Sequence, residues 1–568
     1  MLIHDYARAG NIVGVAGLLA KKIDINARDR DSKQTPLMQA AASRKAGLDM
    51  LRFLIDKGAN VNATGGLYGP QSVLSIAIGG GNPEKVALLL DAGAQIGYER
   101  PERYDALIDA MHSRRIAVDP DLVPLVRLLI DRGAKLGTVS TYSESALSIA
   151  SNNGRFDAIR VLLDAGSNPA PLQWTPLMRA VALGTLDDVR SEIASGADLA
   201  ARDFWSRTPW LLSLQAGDVQ KARLLLASGA DRGDRGRCGK PPLMYPVHNG
   251  HTAMLRWLLA EGFQPDQTDD FRTTALMAAA EDGCVECACI LLDAGADLHL
   301  ANHTQERAVR SASTLEMVRL LVSRGADLNE ISDEMRAALT GLTADGEPEI
   351  SREDYLAGKD RRFGTRNPEK MDVPFWIAMV RCGGSAWHAK RRFNDERIDA
   401  GPVWCFHRFG KSINQLPDGR IIEIAGEHED GYDPDFCIYN DVVVHHGNGR
   451  FEILGYPKDV FPPTDFHSAT RVGEYLYIIG GLGYQGERRF GETPVYRLSI
   501  GTLAIEKVET RGDAPGWISR HKAACPDGKE IFVSGGKLCV WRDGAEEYED
   551  NAGKHALDLA DLVWRKVE

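Results

Sequence analysis

The 568 residues exceed what one hydrophobic core supports, since single cores stop growing near ~250–300 residues, so several domains are expected. A composition of 44% hydrophobic and 26% charged residues, with Gly 57 and Pro 26, excludes disordered and collagen-like chains. The formal charge of −12 removes nucleic acid and anionic membrane surfaces from the default partners, and nine irregularly spaced Cys form no disulfide framework, which fits a reducing cytoplasm.

The opening Met1–Lys22 lacks the basic, apolar and small-residue sectors of a secretory leader, and no window offers ~18 uninterrupted apolar residues, so a soluble chain not exported by that route is expected. From there a phrase of the form Leu-Leu-x-x-x-Gly-Ala-Asp recurs, placing Gly at 58, 93, 133, 166, 196, 229, 262, 295 and 325, with a degenerate earlier copy at Lys22. Four successive spacings are 30, 33, 33 and 33. Thr35-Pro36-Leu37-Met38, Thr175-Pro176-Leu177-Met178, Thr208-Pro209-Trp210-Leu211, Pro241-Pro242-Leu243-Met244 and Thr274-Ala275-Leu276-Met277 keep the same step. Thr caps a first helix, Pro occupies its first turn, and Gly takes the left-handed position after a second helix.

These phrases resemble ankyrin repeats, about ten copies over residues 1–330, and the resemblance implies a helical solenoid that binds a protein on its concave face. The family's usual His after Thr-Pro-Leu is replaced by Met38, Met178, Leu211, Met244 and Met277, which implies a softer stack. An insertion around Ile116–Asp121 and Pro246 inside a first helix are expected bends or contact points. Trp174, Arg179, Phe204, Trp205, Arg207, Tyr245 and Phe271 fall at tip and first-helix positions read as exposed, and form the candidate partner-binding stripe.

Residues 331–400 turn polar and read as a cap, linker and helical connector that fixes the larger domains. Asp372 is expected to cap a helix with Pro374 in its first turn, and Phe375, Met379 and Trp387 to give it an apolar face. His388 beside Trp387 is read as structural.

From about 401 to 568, short β-branched and aromatic runs broken by Gly argue for strands. Ile421, Leu476 and Ile531 open three copies at a step of 55, ending in Ala425-Gly426, Gly480-Gly481 and Gly535-Gly536. Ser412, His467 and His521 recur just upstream. The pattern resembles the kelch repeat, implying a partial β-propeller of about three blades. Three blades leave open ends, met either by a homodimer through the C-terminal blades or by connector helices or ankyrin copies.

Gly410-Lys411-Ser412 lacks the rest of a phosphate loop, and Gly481-Leu482-Gly483-Tyr484-Gln485-Gly486 is not followed by an apolar helix. Cys284, Cys287 and Cys289 lie on a second ankyrin helix, with Cys287 at a core position and no second ligand pair following, and are read as structural. Glu427, His428, Asp433 and Asp435 are weak metal candidates in what is read as a solvated acidic loop. No nucleophile, base and acid constellation can be assembled.

The sequence is therefore read as a multidomain α + β chain, an ankyrin helical solenoid (1–330), a helical connector (331–400) and three kelch-like β blades (401–568). The function expected is that of a non-enzymatic cytoplasmic scaffold with a protein partner, without cofactor, nucleic acid or membrane. The alternative is a glycan, small-ligand or metal-dependent enzymatic role in the strand-rich half.

Overall fold

The hydroxyls of Thr35, Thr175, Thr208 and Thr274 each accept the backbone N–H three residues on, at 3.2–3.4 Å, and so begin helices Pro36–Ala42, Pro176–Leu183, Pro209–Ala216 and Ala275–Asp282. Asp105 and Ser145 do the same for Ala106–Met111 and Ala146–Asn152. Each of these short helices is followed by a second, such as Leu122–Asp131 or Val219–Ala227, and then by a glycine in the left-handed region, as at Gly133 (φ 87°) and Gly229 (φ 99°). The computed structural model describes residues 2–67, 69–112, 116–342, 347–395, 401–428 and 436–567, and within them ten such helix pairs follow one another from Ile3 to Ser323. The chain divides into two compact units, Met1–Arg324 and Gly325–Glu568. Among the described residues no helix is long and apolar enough to cross a membrane.

A first helix of seven or eight residues leaves about half of its carbonyls without an intrahelical partner. Side chains from the start of the next repeat's second helix supply the donors. Lys85 Nζ reaches the carbonyls of Ala40 (3.0 Å) and Ser43 (2.5 Å), and Lys221 Nζ those of Val181 (2.9 Å) and Gly184 (2.8 Å). His251 Nε2 lies 3.1 Å from the carbonyl oxygen of Gln215. Arg155 Nη1 donates to the carbonyls of Ile116 (2.6 Å) and Asp119 (2.7 Å), which ties the inserted turn to the stack. Although the family His is missing, these junctions carry side-chain bonds of their own. Pro246 is not a break. The helix there spans Met244–His248, which puts Pro246 in the first turn, where an N–H has no partner to lose. Cys287 lies in the core of helix Val285–Asp293, as the helix face predicts.

In the second unit, helix Pro374–Cys382 starts after Val373, which makes no side-chain cap, so Asp372 is not the cap expected. Trp387 is 54% exposed, whereas the fully buried Trp376 stacks on Trp404 with centroids 4.7 Å apart and planes 7° from parallel. Tyr355, Phe375, Trp376 and Met379 share one core with Trp404, Tyr439, Val443 and Ile453. The stretch expected as a connector thus packs on the strands that follow it.

Those strands form three antiparallel four-stranded meanders in separate sheets: Ser412–Gln415, Ile421–Ile424, Val442–His445 and Phe451–Gly455; Ser468–Val472, Tyr475–Ile479, Val495–Ser499 and Ile505–Lys507; Lys522–Ala524, Glu530–Ser534, Lys554–Asp558 and Val563–Val567. Glu369–Lys370 adds to the first sheet, and Arg511–Gly512 joins the third in parallel. Alternation sends Ile422, Val442 and Val444 of the first sheet against Leu476, Ile478 and Leu498 of the second. The second sheet's opposite face, with Tyr477 and Ile479, meets Ile531, Val533 and Leu557 of the third.

Consecutive sheets are also pinned at one repeated position. The Ser412 hydroxyl lies 2.8 Å from His467 Nε2, and the Ser468 hydroxyl 2.8 Å from His521 Nε2. Lys522 stands in the third sheet where Ser412 and Ser468 stand in the others. The third sheet's outer face mixes polar and apolar residues: Arg565 grips Glu530 at 2.8 Å, and Lys554 lies over the Phe532 ring.

Burial holds His467 and His521 neutral, lowering their pKa to about 3 and about 4. In the unfolded chain both titrate near ~6.5, so on acidification the unfolded state takes up their protons first. Their contribution to stability is full above ~pH 6.5 and is lost as pH falls toward the folded values. Urea midpoints of the second unit's transition should therefore fall between pH 7 and pH 5, and His467→Gln with His521→Gln should flatten that dependence.

Candidate functional site

Several repeat tips are shaped by one side-chain acceptor. Asp203 Oδ1 accepts the N–H groups of Trp205 (3.0 Å) and Arg207 (2.8 Å), and Asp269 Oδ1 those of Phe271 (2.9 Å) and Thr273 (2.8 Å). The Ser140 hydroxyl accepts from Tyr142 and Glu144, both at 3.2 Å. The residue two beyond the acceptor is therefore presented in the same way each time, and at three tips it is aromatic: Tyr142, Trp205 and Phe271. Tips are joined by a ladder of arginines at the repeat step. Arg202 Nη1 donates to Ser206 O (2.6 Å) and Arg235 O (3.0 Å), and Arg235 Nη1 to Gly239 O (2.9 Å) and Thr268 O (2.7 Å).

Of the residues expected on the stripe, Arg207 is 2% exposed and Tyr245 3%. Arg207 is not a surface contact. Its Nε and Nη2 donate to Asp203 Oδ2 at 2.9 and 2.6 Å, its Nη1 to Ser151 O at 2.7 Å, and it also bonds Gln215 and the Ser151 hydroxyl. Gln215 continues the network to Asn152 O at 2.5 Å. These bonds span two repeats, from the 203–215 segment to the end of helix Ala146–Asn152. Tyr245 is buried with the Lys240 ammonium 4.6 Å from its ring, and burial drives its hydroxyl pKa far upward.

Trp205 is half-buried; its Nε1 donates to Ser148 O at 2.6 Å, Phe204 meets it edge-on at 5.1 Å, and the Arg237 guanidinium lies 5.3 Å from its ring. Trp174 is half-buried against Phe156, while Arg179 and Phe271 are exposed, the latter by 56%. The structure thus gathers Phe204, Trp205 and Arg207 in one cluster, with Trp174, Arg179 and Phe271 outside it.

Sequence reasoning missed the other wall of this cluster. A cavity of about 240 Å³ beside Trp205 is lined by Met111, His112, Glu144, Ile149, Asn152 and Asn153, among others. The Tyr104 hydroxyl donates to Glu144 at 2.9 Å, and its pKa is pushed up to about 12, first by burial and then by that carboxylate. His112 stacks on Tyr104 at 5.1 Å, and Tyr142, 66% exposed, stands 6.4 Å from the same ring. The available signal was positional: Tyr142 occupies the tip slot of Trp205, two repeats earlier.

In the second unit, Glu427 and His428 are buried on a short strand paired with Cys437–Ile438, not in the solvated loop expected. Asp433 and Asp435 lie outside the described residues. Among the described residues no group of three or more His, Cys, Asp or Glu side chains is placed to hold a metal ion.

A family model described as ankyrin repeats (3 copies) matches residues 3–100, 115–203 and 210–302. Residues 3–302 carry ankyrin repeats. Similar curated proteins include the B-cell lymphoma 3 protein homolog of Mus musculus, 26% identical over 214 residues, 37% of this chain and 46% of that protein. An ankyrin repeat and KH domain-containing protein of Caenorhabditis briggsae is 31% identical over 110 residues, 19% of this chain and 4% of the relative. A Caenorhabditis elegans relative, the ankyrin repeat and KH domain-containing protein mask-1, is 28% identical over 163 residues, 28% of this chain and 6% of its own length. The chain spans less than half the length of each. Ankyrin repeats indicate a protein-protein interaction role.

Replacing Arg207 by Met should leave Asp203 buried without its partner and destabilise the repeats by about 3–5 kcal/mol. The urea midpoint of the repeat transition should drop accordingly, and adding Asp203→Leu should recover part of the loss.

Proposed function

We propose that the chain is a non-enzymatic scaffold in a reducing compartment, whose ankyrin repeats hold a protein partner across the aromatic tip row Tyr142, Trp205 and Phe271. The observation that carries this is the equivalence of the three tips, with large rings exposed at two of them. Exposed aromatic clusters of this composition are typical of binding hot spots. Phe204, Trp174 and Arg179 extend the row, whereas Arg207 acts from behind through its buried network. The nine free thiols fit a reducing environment.

Tyr142→Ala with Phe271→Ala should leave the thermal transition in place and weaken capture of the partner retained by the full chain in quantitative pull-down by ~10-fold or more. Equal retention by the variant overturns the tip-row assignment.

The three meanders are read as kelch-like blades stacked face to face, on the support of their step of 55 and their four-strand order. For the dimer expected from open blade ends, the outer face of the third sheet is crossed by charged groups, Glu530, Lys554 and Arg565, and the first sheet already carries Trp376 and its helix. The reading that these observations favour is a single working copy. Sedimentation at micromolar concentration should give the mass of one chain, and a dimer mass would restore the paired-blade reading.

A further inference from the structure

Three successive tips close with one bond. The N–H groups of Asp203, Gly236 and Asp269 donate to the carbonyls of Arg207, Lys240 and Thr273 at 3.0, 3.0 and 3.1 Å. In that register Gly236 stands where the flanking tips have an acid, and the exposed Cys238 stands two residues on, where they have Trp205 and Phe271. The middle tip therefore interrupts the aromatic row and supplies no carboxylate at its turn.

What it supplies is positive charge. Arg237 is exposed, with its guanidinium 5.3 Å from the Trp205 ring, and the half-buried Lys240 holds Nζ 4.6 Å from the Tyr245 ring. Lys240 stands where Arg207 does one repeat earlier. Arg207 is gripped by Asp203, whereas among the described residues neither Arg237 nor Lys240 pairs with a carboxylate. Arg272, exposed beside Phe271, has none either, and Arg235 is engaged by carbonyls alone. Over residues 202–207, 234–240 and 269–273 six cations face four acids, and Asp203 and Asp234 are already taken by Arg207 and Arg202. Asp269 and Asp270 remain, against Arg235, Arg237, Lys240 and Arg272. This is a local excess of positive charge in a chain of formal charge −12. Around Lys240 lie Tyr245, Arg207, Asp269 and Asp282, the last 2.6 Å from His248; burial, then Arg207, lower the lysine's pKa to about 7. An acid brought to it would favour the proton that this place discourages.

We propose that the partner segment crossing these tips is an extended acidic peptide, one carboxylate set over Cys238 between Arg237 and Lys240 and its apolar neighbours against Trp205 and Phe271. This rests on the tip-row reading and adds the partner's charge to it. A polyphosphate strand fits less well, because its continuous charge would also meet Asp269 and Asp270.

The full chain is used to select from a randomised twelve-residue peptide display library, and the most enriched sequence is titrated by fluorescence anisotropy. Asp and Glu should be enriched over the input, and replacing them by Asn and Gln in the peptide should weaken binding by about tenfold or more. Arg237→Gln with Lys240→Met should do the same while unfolding stays cooperative. Affinity should fall as pH rises from about 6.5 to 8.5, since binding must then supply Lys240 with a proton, and Lys240→Arg should remove that fall. A flat profile in the unaltered chain overturns the Lys240 contact. Selected peptides that need Tyr142 and Phe271 but are not acidic, or that bind the charge variant unchanged, overturn the acidic-partner proposal and leave the tip row standing. A lack of selected peptides, or binding unaffected by Tyr142→Ala with Phe271→Ala, overturns both. Displacement of the peptide by an equimolar oligothymidylate would overturn the assignment of the acidic partner as a peptide.

Discussion

A helix of two turns is a poor structure by itself, because nearly every carbonyl at its C-terminal end points at nothing. The repeat half of this chain is built from such helices, and at several junctions the following repeat brings a donor to those open carbonyls. Lys85 and Lys221 do this with an ammonium that can satisfy two carbonyls at once, Arg155 with one guanidinium nitrogen and His251 with a ring nitrogen. Burying a lysine is unfavourable when it stands alone, but here the lysine lies at the negative end of a helix, where the field and the open oxygens both favour it. Stability is thus a property of junctions, as expected for a quasi-one-dimensional stack.

The second unit solves the same problem with layers. A sheet with two apolar faces must be covered on both, and the order found is helix, first sheet, second sheet, third sheet, with Glu530, Arg565 and Lys554 bringing charge to the last outer face. The imidazoles of His467 and His521 repeat between layers because the same hydroxyl-bearing slot recurs in the preceding sheet. Lys522 occupies that slot in the third sheet.

Much of this was legible because it is local. The threonine caps, the left-handed glycines and the strand starts at 421, 476 and 531 depend on residues within one turn or one hairpin, and the period displays them repeatedly. What was not legible depends on pairs far apart in sequence. Arg207 reads as an exposed tip residue until Ser151 and Gln215 are brought to it, and Trp376 gives no sign of its partner Trp404. The phrase Gly410-Lys411-Ser412 was rightly set aside as a phosphate loop, yet two of its residues turn out to be paired individually, Lys411 with Glu423 and Ser412 with His467. Glu427 and His428 were read as solvated because the acidic run around them is hydrophilic, while the bridge to Cys437–Ile438 that buries them is invisible to composition.

The tip row shows how the fold leaves room for recognition. One acceptor, whether Ser140, Asp203 or Asp269, fixes the turn by bonding two backbone N–H groups, so the side chain between them is released from any duty to the turn itself. At Tyr142 and Phe271 that freedom leaves a ring in the open, where its cost in exposed apolar area has no counterpart within the repeat. At Trp205 the same slot has been drawn inward by a bond to Ser148 O and by the Arg207 network below it. The two outer rings are therefore where substitution changes recognition with least change in stability, and the central one is where the two are coupled.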